Sequence, residues 1–186
     1  MALSETKRLT NLVLQLRDVY RPDDKTPTKS LTVVNLVDEV IVILRQHLQN
    51  NKVTCHVSPI SPELVFLANA NQIKQVFINI CLNAIEAMQP DGGELFIEAL
   101  ADEDNHFIGI QIEDTGPGIS PENQNKLFEP FFTTKETGTG LGLAICYDIV
   151  QKHGGHITME SPPDKGAIFT IWLPRETAVI QQPVSE

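Results

Sequence analysis

Asp114-Thr115-Gly116-Pro117-Gly118-Ile119 is the stretch from which the fold of this chain is read. Just before it, residues 106–113 alternate apolar and polar side chains, the period of a half-buried strand. A carboxylate at the end of a strand can accept a hydrogen bond from an exocyclic amine, and neighbouring glycines let a flat ring approach. Adenine offers that amine. Guanine would turn a carbonyl oxygen toward Asp114, and two acceptors opposed in a desolvated pocket cost on the order of 1–3 kcal/mol. An ordinary Asp-Gly turn is the competing account of the same string.

Toward the N-terminus, residues 94–101 alternate in the same way, and an acidic turn joins them to 106–113, which predicts an antiparallel pair. Residues 71–88 carry Ile73, Val76, Phe77, Ile80, Cys81, Ala84, Ile85 and Met88 at helical spacing, closed by Gln89-Pro90-Asp91-Gly92-Gly93. Asn79 and Asn83 stand four positions apart on this helix and share a face otherwise lined by apolar residues. An Asn carbonyl oxygen is a neutral ligand for Mg²⁺, with phosphate oxygens and waters completing the octahedron. A hydrogen-bonded pair of core amides is the alternative. Earlier still, residues 31–36 read as a strand and 37–49 as a helix, while 53–57 and 64–67 read as a two-stranded unit.

Toward the C-terminus, Gly138-Thr139-Gly140-Leu141-Gly142-Leu143-Ala144 sets glycines at every second position and runs into an apolar helix over 142–152. Backbone N–H groups and the dipole at such a helix start favour phosphate, and Lys135 just upstream adds a mobile positive charge. A flexible connector is the alternative reading of the glycines. Neither a dinucleotide-binding spacing nor a Gly-Lys-Ser/Thr phosphate loop is present. Residues 157–160 and 167–173 form a second predicted hairpin around Pro162-Pro163-Asp164-Lys165-Gly166. His153 falls in the last turn of its helix, a favourable place for partial positive charge, and with His156 it supplies too few ligands for a metal.

The chain has 186 residues, of which 41% are hydrophobic, enough for a real core. A net charge of −10 gives no long-range attraction for nucleic acid, so no nucleic acid partner is expected. No apolar run in the sequence approaches the roughly 20 residues of a membrane segment. Cys55, Cys81 and Cys146 are dispersed and odd in number, which reads as reduced cytosolic thiols. Leu9, Leu12, Val13, Leu16, Val19 and Tyr20 form a helical stripe that stops at Arg21-Pro22-Asp23-Asp24.

The order Asn79/Asn83, Asp114 to Ile119, Phe128-Glu129-Pro130-Phe131-Phe132-Thr133-Thr134-Lys135, then Gly138 to Leu143 resembles the N, G1, F and G2 boxes of histidine kinase catalytic domains. That family sits in the superfamily that includes gyrase, Hsp90 and MutL ATPase domains. The string Asn83-Ala84-Ile85-Glu86-Ala87-Met88 looks like its nitrogen-regulator-type subgroup. The resemblance covers about residues 30–174. It implies an α/β Bergerat-type ATP-binding fold, a two-layer sandwich of helices on a mixed β-sheet, with a lid over residues 119–141. It also implies ATP and Mg²⁺ as cofactors. Asp114 would bind the adenine amine in a pocket shaped by Gly116, Gly118 and Ile119, with Thr170 assisting through water. Asn83 would ligate Mg²⁺, Asn79 would assist near the phosphates, and Gly138, Thr139, Gly140, Leu141 and Gly142 would admit them. Lys135 would reach the phosphates from a lid anchored by Phe131 and Phe132, so the catalytic roles fall to Asn79, Asn83 and Lys135. Glu86 departs from many relatives, which carry a basic phosphate-contacting residue there; the expectation is a solvated helix position.

The implied organisation is the second helix of a dimerisation and phosphotransfer hairpin over residues 1–22, with a Glu5-x-x-Arg8-Leu9 pattern, a linker over 23–29, the catalytic domain over 30–174 and a tail over 175–186. The implied function is donation of the γ-phosphoryl group of Mg-ATP to a histidine in two-component signalling. Response regulator and homodimer partners and a cytoplasmic location follow, including as part of a membrane-bound sensor. The acceptor pattern, His followed by an acidic residue, is matched by none of His47, His56, His106, His153 and His156. The alternatives are a non-catalytic nucleotide-binding and dimerisation module, or a superfamily ATPase. Against the latter, Asn79 stands where such enzymes carry a water-activating glutamate.

Overall fold

Side-chain alternation assembles the principal sheet of the computed structural model, which describes residues 28–102, 104, 106–135, 138–162 and 165–176. Its strands are β2 (Val53–Val57), β4 (Gly93–Ala101), β5 (Phe107–Asp114), β6 (His156–Glu160) and β7 (Ile168–Pro174), in the order β2-β4-β5-β7-β6. Only β2 runs parallel to its neighbour, so the sheet is mixed. The register sets Ile97 against Ile112 and Ile110 against Ile171. Because alternate residues share a face, these join Leu95, Ile108, Phe169 and Leu173 in one buried apolar surface. The other surface is open and polar to aromatic. There Gln111 Nε2 donates to Glu98 Oε1 at 2.9 Å, and Trp172 Nε1 donates to Thr158 Oγ1 at 3.2 Å.

The helices are α1 (Val33–Asn50), α2 (Ala70–Ala87), the single turn α3 (Pro121–Gln124) and α4 (Gly142–Lys152). α1 packs on β2 and α2, α2 on β5 and α4, and α4 on β6 and β7, which gives the expected two-layer α/β sandwich. Ile73, Val76, Phe77, Ile80 and Ile85 of α2 are buried at helical spacing, so this helix lies along the middle of the core. Asn69 caps it, its side chain accepting from the N–H groups of Asn71 and Gln72 at 3.1 and 3.3 Å.

Two expectations are corrected. The strand predicted over 31–36 is shorter: β1 (Lys29–Thr32) ends where Thr32 Oγ1 accepts from Asn35 N at 3.3 Å and starts α1. Val33, Leu36 and Val37 then continue the buried stripe of α1 through Val40, Leu44 and Leu48, so helical burial overrides β-branching. The segments 53–57 and 64–67 do not pair with each other. β3 (Val65–Ala68) pairs with β1 in a separate two-stranded sheet, and β2 joins β4. The connection between them carries Pro59 and Pro62 and no residue suited to a tight primed turn. The N-terminal stripe, residues 23–27 of the linker and the tail from residue 177 lie outside the described residues. No helix among the described residues is long and apolar enough to cross a membrane.

Candidate nucleotide-binding site

Asp114 is the last residue of β5 and is only 4% exposed. Its Oδ1 accepts from Gly116 N at 2.8 Å, and its backbone N donates to Ala167 O at 3.0 Å. Burial pushes its carboxyl above the usual range, while backbone hydrogen bonds from Gly116 and Ala167 pull it back and the Glu113 charge adds to the rise. A carboxylate held this way has one oxygen committed to the loop. The carboxylate, an acceptor with two oxygens, is the group at this end of the site that can receive a buried amine.

Gly116 lies against Ala87, since a Cβ on it would come 3.5 Å from the Ala87 Cβ. The C-terminal end of α2 therefore abuts the Asp114 loop. At 1.5 Å per residue, Asn83 stands about 6 Å and Asn79 about 12 Å back along the helix. Lys135 of the lid crosses to that point: its Nζ donates to Asn83 Oδ1 at 2.8 Å and also to the Glu86 carboxylate. Asn79, half-buried, hydrogen-bonds the Cys146 thiol of α4. Burial pushes that thiol up to about 12 and the Cys81 thiol higher still, so neither is a nucleophile.

The lid leaves the sheet at a fixed hinge. Ser161 Oγ accepts from Ile119 N and donates to Gly166 O, both at 2.7 Å, and Gln124 Nε2 donates to Ile119 O at 2.9 Å. At its other end, Phe131 N donates to Gly140 O at 2.9 Å. Gly140 has φ +67°, and a Cβ there would collide with the Phe131 backbone, so glycine is required. α4 begins two residues later with no side-chain cap on its N-terminus. A Cβ on Gly142 would meet nothing within 4 Å, which leaves open space at the helix start.

The geometry thus gathers Asp114, Gly116, Gly118 and Ile119 at one end, and Asn79, Asn83 and Lys135 along α2. Gly138, Thr139, Gly140, Leu141 and Gly142 form the approach to α4. Thr170 is the exception and a correction. It pairs with Gln111 and Thr158 on the open side of the sheet, whereas Asp114, three residues beyond Gln111, faces the helices. The residue across from Asp114 is Ala167. Phe131 is a second correction: the residue is 69% exposed and its φ is +68°, so its backbone, not its side chain, secures the lid. Leu127 and Phe128 pack on the core instead, with Phe128 against Tyr147 at 5.5 Å between ring centroids. Glu86 is not merely solvated but paired with Lys135. His153 is wired as well: Nδ1 contacts Ile149 O at 2.8 Å and Nε2 accepts from Asn69 N at 3.1 Å, so the ring ties the end of α4 to the cap of α2. Ser161 was invisible in the sequence, being a hydroxyl in an ordinary turn. Only its contact with Gly166 reveals its role. Among the described residues no cluster of His, Cys, Asp and Glu could hold a metal by itself.

A buried carboxylate, a helix lined with amides and a glycine-rich helix start under a lid define a nucleotide-binding α/β sandwich. The family described as histidine kinase-, DNA gyrase B- and HSP90-like ATPase matches residues 68–177, and the chain belongs to it. Sporulation kinase A of Bacillus subtilis (strain 168) is 34% identical over 176 residues, covering 95% of this chain and 28% of its own length. The catalytic domain of the histidine kinase ThkA superposes with a TM-score of 0.71 at 32% identity, covering 80% of this chain and 95% of that one. A histidine kinase ThkA in complex with the response regulator protein TrrA gives 0.73 at 26% identity, covering 91% of this chain and 49% of that one. The fold is that of a histidine kinase catalytic domain. The chain spans 28%, 23% and 36% of the lengths of the first three curated relatives.

Proposed function

We propose that residues 30–174 hold Mg-ATP and present its γ-phosphoryl group to a histidine supplied by another segment, for onward transfer to a response regulator. The observation that carries this reading is the line of groups along α2. Gly116, bonded to the Asp114 carboxylate, meets its end at Ala87, Lys135 contacts Asn83 one turn back, and α4 begins uncapped beyond. A nucleotide lying along that line sets adenine on Asp114, with Gly116, Gly118 and Ile119 around the ring. Its phosphates lie beside Asn83, Asn79 and the loop from Gly138 to Gly142. Asn83 Oδ1 already accepts a cationic partner, and a neutral amide oxygen beside a carboxylate suits a hard divalent ion, so the residues fit Mg²⁺. When bound, Mg²⁺ neutralises charge on the phosphates. Asn83 orients, Lys135 offsets charge from the lid, and the N–H groups at α4 hold the phosphate chain in place. Asn79, an amide, has no base with which to take a proton from water.

The match to ThkA in complex with its regulator supports an aspartate-bearing response regulator as the partner of the intact protein. Pairing of two chains through a helical hairpin including residues 1–22, and a cytoplasmic location, complete the reading. The test combines this chain with a separate protein bearing the histidine-containing helix and γ-labelled ATP. Label is expected on the added histidine; tight ATP binding without transfer would favour a non-catalytic module. For the pocket, Asp114→Asn should weaken ATP binding at least about tenfold by calorimetry, from roughly 1.5 kcal/mol of lost charge-assisted hydrogen bonding. Unchanged affinity would remove the adenine assignment.

A further inference from the structure

We infer that Glu86 makes this site discriminate between metal-loaded and metal-free ATP, by holding Lys135 across the Asn83 oxygen until metal-loaded nucleotide enters. The inference rests on the proposed Mg-ATP reading of the site. Asn83 and Glu86 are three positions apart on α2 and therefore share a face. One ammonium serves both: Lys135 Nζ donates to Asn83 Oδ1 at 2.8 Å and to Glu86 Oε2. That bond ties the lid, between the Ser161 hinge and the Gly140 clasp, to the helix that lines the site. It also places a monovalent cation on the oxygen proposed for Mg²⁺.

The two forms of the nucleotide meet this arrangement differently. Metal-free ATP must draw Lys135 away from both oxygens with phosphate charge alone, and it leaves the Glu86 carboxylate unpaired beside a polyanion. Metal-loaded ATP brings its own cation, which takes the Asn83 oxygen that Lys135 gives up and keeps positive charge near Glu86. Lys135 is then released toward the phosphates without stranding Glu86. A carboxylate at position 86 therefore penalises only the metal-free form. A basic residue there would reward phosphate with or without metal. Side-chain exposures of 39% for Lys135 and 52% for Glu86 keep the effect modest.

Two measurements test this. Calorimetric titration with ATP, once in excess Mg²⁺ and once in excess chelator, gives an affinity ratio for the wild type and for Glu86→Ala. The ratio should shrink by about two- to fivefold in Glu86→Ala, the range an exposed ion pair supplies, through tighter metal-free binding. An unchanged ratio overturns the discrimination. In the nucleotide-free protein, tryptic cleavage after Lys135 should be faster in Glu86→Ala than in the wild type. Equal rates overturn the tether. Asp114→Asn run alongside separates the causes: if it binds ATP as the wild type does, the nucleotide reading itself has failed, whereas the cleavage comparison stands without nucleotide.

Discussion

Burying the Asp114 carboxylate costs the unliganded fold free energy, because desolvation disfavours its charged form and only part of that is offset by Gly116 and Ala167. In the folded state the group takes up its proton above the ordinary value of 3.8. Between that value and the raised one, the native chain binds more protons than the unfolded chain, so unfolding free energy falls as pH rises through the interval. Asp114→Asn should remove this component, so the wild type's unfolding free energy relative to the variant's, read by urea unfolding at a series of pH values upward from about 4, should fall as pH rises. ATP binding by the wild type should weaken as pH falls through the same interval, since the protonated carboxyl loses the charge that strengthens its bond to the amine. Asp114 was legible in the sequence because a strand end followed by two glycines is a local pattern. Thr170 was misplaced because the side of a sheet on which a residue lies depends on register, which no window of sequence contains. Ala167 gained its place opposite Asp114 by the same register.

At the scale of elements, the lid depends on a clasp between two backbones. Gly140→Ala would force a side chain into the left-handed region and against the Phe131 carbonyl group, with a conformational cost of about 1–2 kcal/mol before the collision is counted. The expected outcome is severalfold weaker ATP binding with little change in melting temperature, since the clasp lies outside the core. Asn69→Ala works in the opposite sense. It removes the side-chain cap of α2 at about 1 kcal/mol and should lower the melting temperature by about 2–4 °C by calorimetry. Helices α2 and α4 were legible to within a residue or two because their apolar stripes are long and their ends are marked by Asn, Pro and Gly. The start of α1 was not, because Val33 and Val34 read locally as strand and only the Thr32 cap and packing on the sheet decide otherwise.

Across the whole molecule, the central helix carries the greatest load. Phe77 of α2 is fully buried, and Phe77→Ala should cost about 3–5 kcal/mol in denaturant unfolding, enough to threaten a domain of ordinary stability. The layering of helices on a mixed sheet followed from the order of periodicities along the chain. The pairing of β2 with β4 and of β3 with β1 did not, since strand partners are chosen across distances where sequence spacing is silent. The open face of the sheet also has a practical meaning. Trp172 is the single tryptophan of the chain, lying over Gly109 with the His156 ring stacked at 6.0 Å between centroids. It stands on the surface turned away from α2, Asn83 and the lid. Its fluorescence is therefore a built-in reporter of sheet integrity that stays silent while nucleotide is titrated, so one optical signal can follow unfolding without contamination from ligand binding.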